Sequence, residues 1–493
     1  MRVAAKKDSI INIDCSIMVD RMLARRTLWG TLMVLTVSTT TVEGAADLEY
    51  PNQTLSLIRF GSCHKLKYAK PGLWSTILQG DSRLGSSSNN NKNKKRPDLF
   101  LWTGDSIYPP KRGVAPVELL VKEYHRMKTN NTVAYGQQLL TNNPNKDVNN
   151  DGPILTLGSY DDHDYGANDL GKFMPDKPQR RDAFWEFLGL TTALNNLQHR
   201  QGAYFSALFG SAVDKQVKVI LLDTRWHRDN HCVPSVAGIS WLPLGAGFAC
   251  LFRWLSAGLF PTWCAHRQET ATILGQEQWT WLEEQLMESA ADVHIVVSSI
   301  QVLTTNPTME GWGHFPHERR RLIDLLRQTK GALILSGDVH HAEILNPAAH
   351  MHHVDNAFLE VTSSGLTHSC TKGLFGKLCV PLLTWFSKHR WHYDARYVDR
   401  NFGQIDIDWG NEQLEVSVLD AQSGETVLTT GPRAFEQYSN WTTEDLEGVV
   451  ECMDGHLIPL AQGVAVLLAL LLILSLRVVL NTNRQAFRKE KVT

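Results

Sequence analysis

The body of this chain carries no block of basic residues: across 493 residues, 49 Lys and Arg stand against 51 Asp and Glu, for a net charge of −2. A broad nucleic-acid surface needs clustered positive charge, so nucleic acid is excluded as a partner. No internal repeat is visible, which excludes a solenoid or a repeat array. Long uninterrupted apolar runs are scarce as well. The run at residues 28–37 is too short to span a bilayer, and the apolar and aromatic stretch at residues 236–263 is broken by Pro243, Gly245, Gly247 and Arg253. Cysteine is sparse, with eight in all.

The exception is residues 458–476, almost purely apolar, which as a helix would reach about 28 Å at about 1.5 Å per residue. The expectation is a transmembrane helix within residues 458–480, followed by a basic cytosolic tail at 481–493 that holds Arg484, Arg488, Lys489 and Lys491. Positive charge stays in the cytosol, so residues 47–454 are expected in the lumen as a single-pass type I protein. The last five residues look like a dilysine signal read by coat proteins, which points to the endoplasmic reticulum. At the other end, Arg25 and Arg26 precede the run at 28–37 and the small residues Gly44, Ala45 and Ala46, the parts of a signal peptide. Residues 1–46 are therefore read as a leader, with an uncleaved anchor as the alternative. Asn52, Asn130 and Asn440 stand in glycan-acceptor triplets, and Cys232, Cys250, Cys264, Cys370, Cys379 and Cys452 could form three luminal disulfides.

A 43% hydrophobic content is ample for a core. Short apolar runs at residues 55–60, 98–103, 153–158, 217–222, 293–297 and 332–335 predict buried strands, with helices over 276–286 and 316–326. Residues 403–408 and 413–419 alternate around a Gly-Asn turn and predict a hairpin with one face packed and one wet. The class is an α/β domain of mixed sheets. The Ser, Asn and Lys stretch at 86–95 and the similar one at 142–150 read as surface loops.

Four motifs follow predicted strands: Gly61-Ser62-Cys63, Gly104-Asp105-Ser106-Ile107-Tyr108, Asp161-Asp162-His163-Asp164 and Gly337-Asp338-Val339-His340. Strand ends are where open sheets place their sites. Asp105 can bridge two cations; Tyr108 offers a phenolate suited to ferric iron, and Cys63 a thiolate that favours a transition metal. Each has a bland reading too, a turn residue for Asp105 and a buried or disulfide-bonded cysteine for Cys63. Three carboxylates as close as Asp161, Asp162 and Asp164 repel unless a cation offsets them, the alternative being a helix cap in a solvated acidic loop. Asp338 and His340 share a face if the chain stays extended, with His341 turned away.

With these motifs in this order, and with Leu222-Asp223-Thr224-Arg225, the chain resembles the alkaline phosphatase D-like (PhoD-like) branch of the calcineurin-like metallophosphoesterases over residues 55–419. The resemblance implies a four-layer αββα sandwich. It implies a first metal, ferric iron, on Cys63, Asp105, Tyr108 and His340, with Asp105 bridging to a second on Asp162 and Asp338. Compared with the wider superfamily, aspartate replaces Asn at Asp162 and His at Asp338, which favours a harder second ion such as calcium. Two cations polarise phosphoryl oxygens and lower the pKa of a water whose hydroxide attacks phosphorus in line. His163 is the candidate for contacting the phosphoryl group or protonating the leaving oxygen. Arg225 is the candidate for binding phosphate oxygens, with a structural ion pair as its alternative.

Residues 236–263 and 373–391 read either as buried insertions or as interfacial segments resting on a bilayer; in the second case the substrate is a lipid-linked phosphoester. The expected function is metal-dependent phosphoester hydrolysis, phosphatase or phosphodiesterase. The rival is a membrane-anchored binding protein that keeps the fold without turnover.

Overall fold

The computed structural model describes residues 46–78, 96–110, 113–130, 135, 154–211, 214–231, 253, 270–349, 351, 358–371, 376–385, 389–392, 394–435, 442–450 and 466–475. Residues 1–45, the loops at 86–95 and 142–150, Asn440, Cys15, Cys232, Cys250, Cys264 and Cys452, the stretch 236–263 apart from Arg253, and the tail 481–493 lie outside them.

Among the described residues, fifteen strands run in chain order. They are β1 (Leu48–Tyr50), β2 (Leu57–Gly61), β3 (Leu99–Thr103), β4 (Leu155–Ser159), β5 (Phe205–Ser211), β6 (Asp214–Leu221), β7 (Val293–Val297) and β8 (Ala332–Ser336). Then come β9 (Ala342–Leu345), β10 (Leu359–Ser363), β11 (Arg396–Tyr397), β12 (Asn401–Asp408), β13 (Gln413–Asp420), β14 (Thr426–Thr429) and β15 (Arg433–Ala434). They form an eight-stranded sheet ordered β1-β5-β6-β7-β8-β10-β9-β11 and a seven-stranded sheet ordered β14-β13-β12-β2-β3-β4, with β15 on β13. Both sheets mix parallel and antiparallel pairs, as the α/β reading expects.

Each predicted strand in the body is present within a few residues, and so are the helices, observed at Gly275–Met287 and Pro316–Arg327. The second helix starts at Pro316, whose fixed φ suits a first turn. Its Glu318 accepts the Ile273 N–H at 2.9 Å and the Trp279 indole N–H at 2.8 Å, tying the two helices together.

Alternation along β6, β7 and β8 divides the core. Val219, Val297 and Leu335 join the cluster that also holds Phe60, Leu101, Val416 and Val418 of the seven-stranded sheet. Their neighbours Ile220, Val296 and Ile334 turn to the opposite face and pack on Trp279, Leu282, Leu322 and Ile323. With both faces covered, these strands need mostly apolar runs, interrupted here by the buried Lys218 on β6 and His294 on β7, which is why the sequence shows them so plainly.

The β12–β13 hairpin corrects one expectation. Both faces are buried, and its polar residues Gln404, Asp406, Glu415 and Ser417 lie inside. Arg59 on neighbouring β2 donates twice to Gln404 Oε1, at 3.1 and 2.8 Å, and Gln404 donates to Asp406 at 2.7 Å. Alternation marks a wet face only when the polar side chains lack partners, and here Gln404, Asp406 and Glu415 have them.

No helix among the described residues is long and apolar enough to cross a membrane. Of the expected span at 458–480, residues 466–475 are described; they are helical and exposed, and reach about 15 Å, half of a bilayer core. The rest of that segment lies outside the described residues. Cys370 and Cys379 form a disulfide, and Cys63 is free and buried.

Candidate metal centre

Parallel pairing explains why the motifs converge. β2, β3 and β4 run in the same direction in adjacent register, Gly61 beside Trp102 and Thr103 beside Ser159, so the loops that follow them leave the same edge. β6, β7, β8 and β10 are likewise parallel in the other sheet, delivering Thr224 and Arg225, Ser299, Asp338 and Ser364. A hydrogen bond joins the two edges, the Leu366 N–H donating to Ser62 O at 3.1 Å, while within the eight-stranded sheet the Gly337 N–H donates to Ser299 O at 3.2 Å.

The turns themselves are unusual. Cys63, Asp105, Asp338 and His340 all have left-handed backbone, with φ of 60°, 53°, 71° and 60°. Such conformations are uncommon outside glycine and gather at functional sites. The expectation that Asp338 and His340 sit on extended chain is thereby corrected: the chain twists at both residues, with the Val339 N–H bonded back to Gly337 O at 3.0 Å. Gly337 is required there, since a Cβ would lie 2.3 Å from Thr103 O. His341 does turn away, its Nε2 3.3 Å from Glu343.

Asp105 lies at the centre. Its Oδ2 accepts the Tyr108 hydroxyl at 2.6 Å and stands 3.7 Å from Cys63 Sγ, while Oδ1 faces the His163 N–H at 3.3 Å. Asp105, Asp161, Asp162 and Asp338 bring oxygens within 4.8 Å of one another, and Asp105, Asp162 and His163 form a second such group. Burial, then the charges of Asp162, Asp161, Asp164 and Asp338, push the Asp105 carboxyl far above its usual range. Burial likewise raises Asp338, with Asp161 and Asp162 adding to it, and raises the Cys63 thiol and the Tyr108 phenol, with Asp105 adding to both. Asp162 Oδ1, Asp161 Oδ2 and His340 Nδ1 are buried atoms without a hydrogen-bond partner. Crowded carboxylates, a thiol, a phenol, an imidazole and orphaned acceptors form a donor set that fits metal cations.

His163 packs its ring on Tyr108 with centroids 4.1 Å apart, and its side chain keeps 28% of its exposure. Burial pushes its pKa down ahead of the opposing pull of Asp162. The His340 ring is 6.4 Å from that of Tyr108, and the His340 backbone N–H donates to Ser364 Oγ at 2.9 Å. Asp162 Oδ2 accepts the Asp169 N–H at 2.8 Å.

Arg225 makes the structural ion pair. Its side chain is fully buried, Nε donating to Asp161 Oδ1 at 2.7 Å and Nη1 to Glu310 at 2.8 Å. Burial works against its charge, but Asp161 and Glu310 outweigh that and hold it cationic. Asp164 is structural too: it accepts the N–H groups of Asp161, Ser106 and Ile107 and the Ser106 hydroxyl, fixing the Asp105 turn. The helix-cap reading of this loop thus holds in part, since Asp161 opens a short helix at Asp162–Tyr165, although the loop is buried.

Residues outside the sequence-based set complete the site. Ser364 Oγ is 3.0 Å from Cys63 Sγ, and the His368 ring lies 4.3 Å from that of His340. Ser364 directly follows β10, a strand the sequence-based prediction lacks, and His368 lies further along the same loop. The small residues Thr362-Ser363-Ser364-Gly365 at the end of that strand are the signal that could have found them. Glu310 and Arg228 lie behind Asp161, paired at 2.7 Å.

A family described as PhoD-like phosphatase matches residues 85–418, more than half of the chain. Among solved structures, one described as "Structure of PhoD" is similar at 13% identity and a TM-score of 0.48, over 85% of this chain and 79% of that one. No curated protein matches.

Proposed function

The chain belongs to the PhoD-like phosphatase family, and on that footing we propose that it hydrolyses phosphoesters at a two-metal centre built on Asp105. The observation that carries this is the placement of Asp105 between the Cys63 and Tyr108 side and the Asp162 and Asp338 side of one cluster. Cys63, Asp105, Tyr108 and His340 would hold the first ion, ferric iron by their anionic and soft donors, and Asp105, Asp162 and Asp338 the second, a hard cation such as calcium. When bound, the metals supply the positive charge that polarises phosphoryl oxygens and acidifies a water.

The chain's own residues do the rest. His163 stands partly open to solvent against Tyr108, where it can meet a phosphoryl or leaving-group oxygen. Burial raises the Asp161 carboxyl to about 7, and Arg225 opposes that rise while holding the carboxylate in place, a positioning task beside the candidate contact with phosphate. The outer helices and the shared core of the two sheets support the four-layer αββα arrangement and the calcineurin-like grouping. The apolar segment at 458–480 would anchor the domain in the lumen of the endoplasmic reticulum, and a lipid-linked substrate suits that placement.

The test is purified full-length protein, loaded with iron and calcium, assayed by elemental analysis and with p-nitrophenyl phosphate and bis(p-nitrophenyl) phosphate. Turnover that tracks metal content supports the reading. Stoichiometric metal with no turnover of either ester favours the rival, a binding protein with the same fold.

A further inference from the structure

Arg225, Arg228 and Arg253 are the arginines nearest the cluster, and all three are buried and paired with Asp161, Glu310 or Asp169. Their guanidinium groups are committed to these carboxylates in the interior and do not face solvent, where an anion would arrive. Lys65 differs. Its ammonium lies 5.2 Å from the ring centre of Tyr108 and 5.6 Å from that of Tyr68, and among the described residues no carboxylate pairs with it. Tyr108 is the residue whose hydroxyl meets Asp105, so one aromatic ring separates the cation from the acidic cluster.

The backbone that carries Lys65 is fixed. Its N–H donates to Thr367 Oγ1 at 2.6 Å, the Thr367 hydroxyl also faces Lys65 O at 3.1 Å, and the Thr367 N–H bonds Cys63 O at 3.3 Å. The two tyrosine rings then limit where the long side chain can sweep, holding the ammonium loosely by cation–π attraction worth about 0.5–1 kcal/mol at such exposed sites. A compact point charge with three rotatable donors suits phosphate oxygens.

We propose that Lys65 binds the non-bridging oxygens of a terminal phosphate and thereby makes phosphomonoesters the preferred substrate class of this site. The inference rests on the phosphoesterase reading above. A terminal phosphoryl group carries a charge of about −1.5 to −2 near neutral pH, whereas a diester carries a single charge. The second charge needs a cation beyond those that balance the carboxylates, and Lys65 is positioned to provide it. In a diester, one of those oxygens carries a second organic group, which would meet the ammonium without a charge to offer it.

The experiment compares metal-loaded full-length wild type, Lys65→Met, Lys65→Arg and Lys67→Met. Lys67 is exposed, 6.0 Å over the Tyr68 ring, and serves as the neighbouring-charge control. Calorimetry with inorganic phosphate reads binding without turnover, and steady-state kinetics on p-nitrophenyl phosphate and bis(p-nitrophenyl) phosphate read selectivity. Lys65→Met is expected to weaken phosphate binding and to lower monoester kcat/KM by about tenfold or more, mainly through KM, with the diester within about twofold. Lys65→Arg retains most of both, and Lys67→Met retains all. Unchanged phosphate binding in Lys65→Met, an equal loss on both esters, or an equal loss in Lys67→Met would overturn the proposal. If Lys65→Met does not fold, judged by its thermal midpoint, Lys65→Gln carries the same comparison. Wild type that binds phosphate through Lys65 yet turns over neither ester would sink the hydrolase reading and leave Lys65 standing.

Discussion

The Tyr108 hydroxyl donates to Asp105 Oδ2 at 2.6 Å, and Cys63 Sγ approaches that same oxygen to 3.7 Å, so one carboxylate oxygen faces both anionic donors. Asp105→Asn removes the shared charge while keeping the shape of the turn. The expected outcome is a fall in kcat of about 10³-fold or more, with folding intact by circular dichroism. Retained turnover would refute the bridging role. Tyr108→Phe should weaken iron binding by about 10–100-fold, read by competition with a chelator.

Asp338 gives a test whose sign depends on metal. Burial and the neighbouring Asp161 and Asp162 raise its pKa, so in metal-free protein its ionised form is unfavourable. A raised carboxyl pKa means the native state holds the proton longer; the contribution to stability is present at low pH and is lost as pH rises through the raised value. Asp338→Asn should therefore raise the melting temperature of chelator-treated protein at pH 7 and lower that of metal-loaded protein. A change of the same sign in both forms would show that Asp338 does not meet a cation.

Arg225 is expected to matter for folding first. Arg225→Met leaves Asp161 buried without its counter-charge and takes from Glu310 one of its two guanidinium partners, Arg228 remaining, at a cost of about 3–5 kcal/mol by denaturant unfolding. Arg225→Lys should recover little, because a lysine cannot span both carboxylates as the guanidinium does. Full stability in Arg225→Met with loss of phosphate binding would restore the direct role.

His294 lies on β7, far along the chain from the motifs, and burial lowers its pKa to about 4, with the nearby Lys218 and Lys330 also opposing the charge. The unfolded chain binds a proton near the ordinary value of about 6.5 that the native state refuses, so stability from this residue falls as pH drops from about 6.5 to about 4. His294→Gln should flatten that slope by one proton, about 1.4 kcal/mol per pH unit, measured by urea unfolding across the window. An unaltered slope would show that His294 is protonated in the native protein.

The strands and the four motifs were legible because burial on both faces demands apolar runs, and a run that stops at Gly-Asp or Ser-Cys is visible in the letters. What was hidden is pairing. Nothing along the chain announces that Gln404 and Asp406 face inward until Arg59 is placed beside them by the β2–β12 register. Arg225 looked like a phosphate ligand for the same reason: its partner Glu310 is 85 residues away and arrives through the sheet order. β10 went unread because Leu359–Ser363 contains a buried Glu360, held by the N–H groups of Val302 and Leu303.

The left-handed backbone at Cys63, Asp105, Asp338 and His340 limits how this centre can drift or be redesigned. Asparagine, aspartate and glycine tolerate that twist, so exchanges among them alter the chemistry while the loop keeps its path. Valine, isoleucine or threonine would deform the turn as well as delete a donor, shifting the neighbouring donors at the same stroke. Grafting the four motifs onto a scaffold with straight strand ends would therefore transplant the letters and lose the geometry.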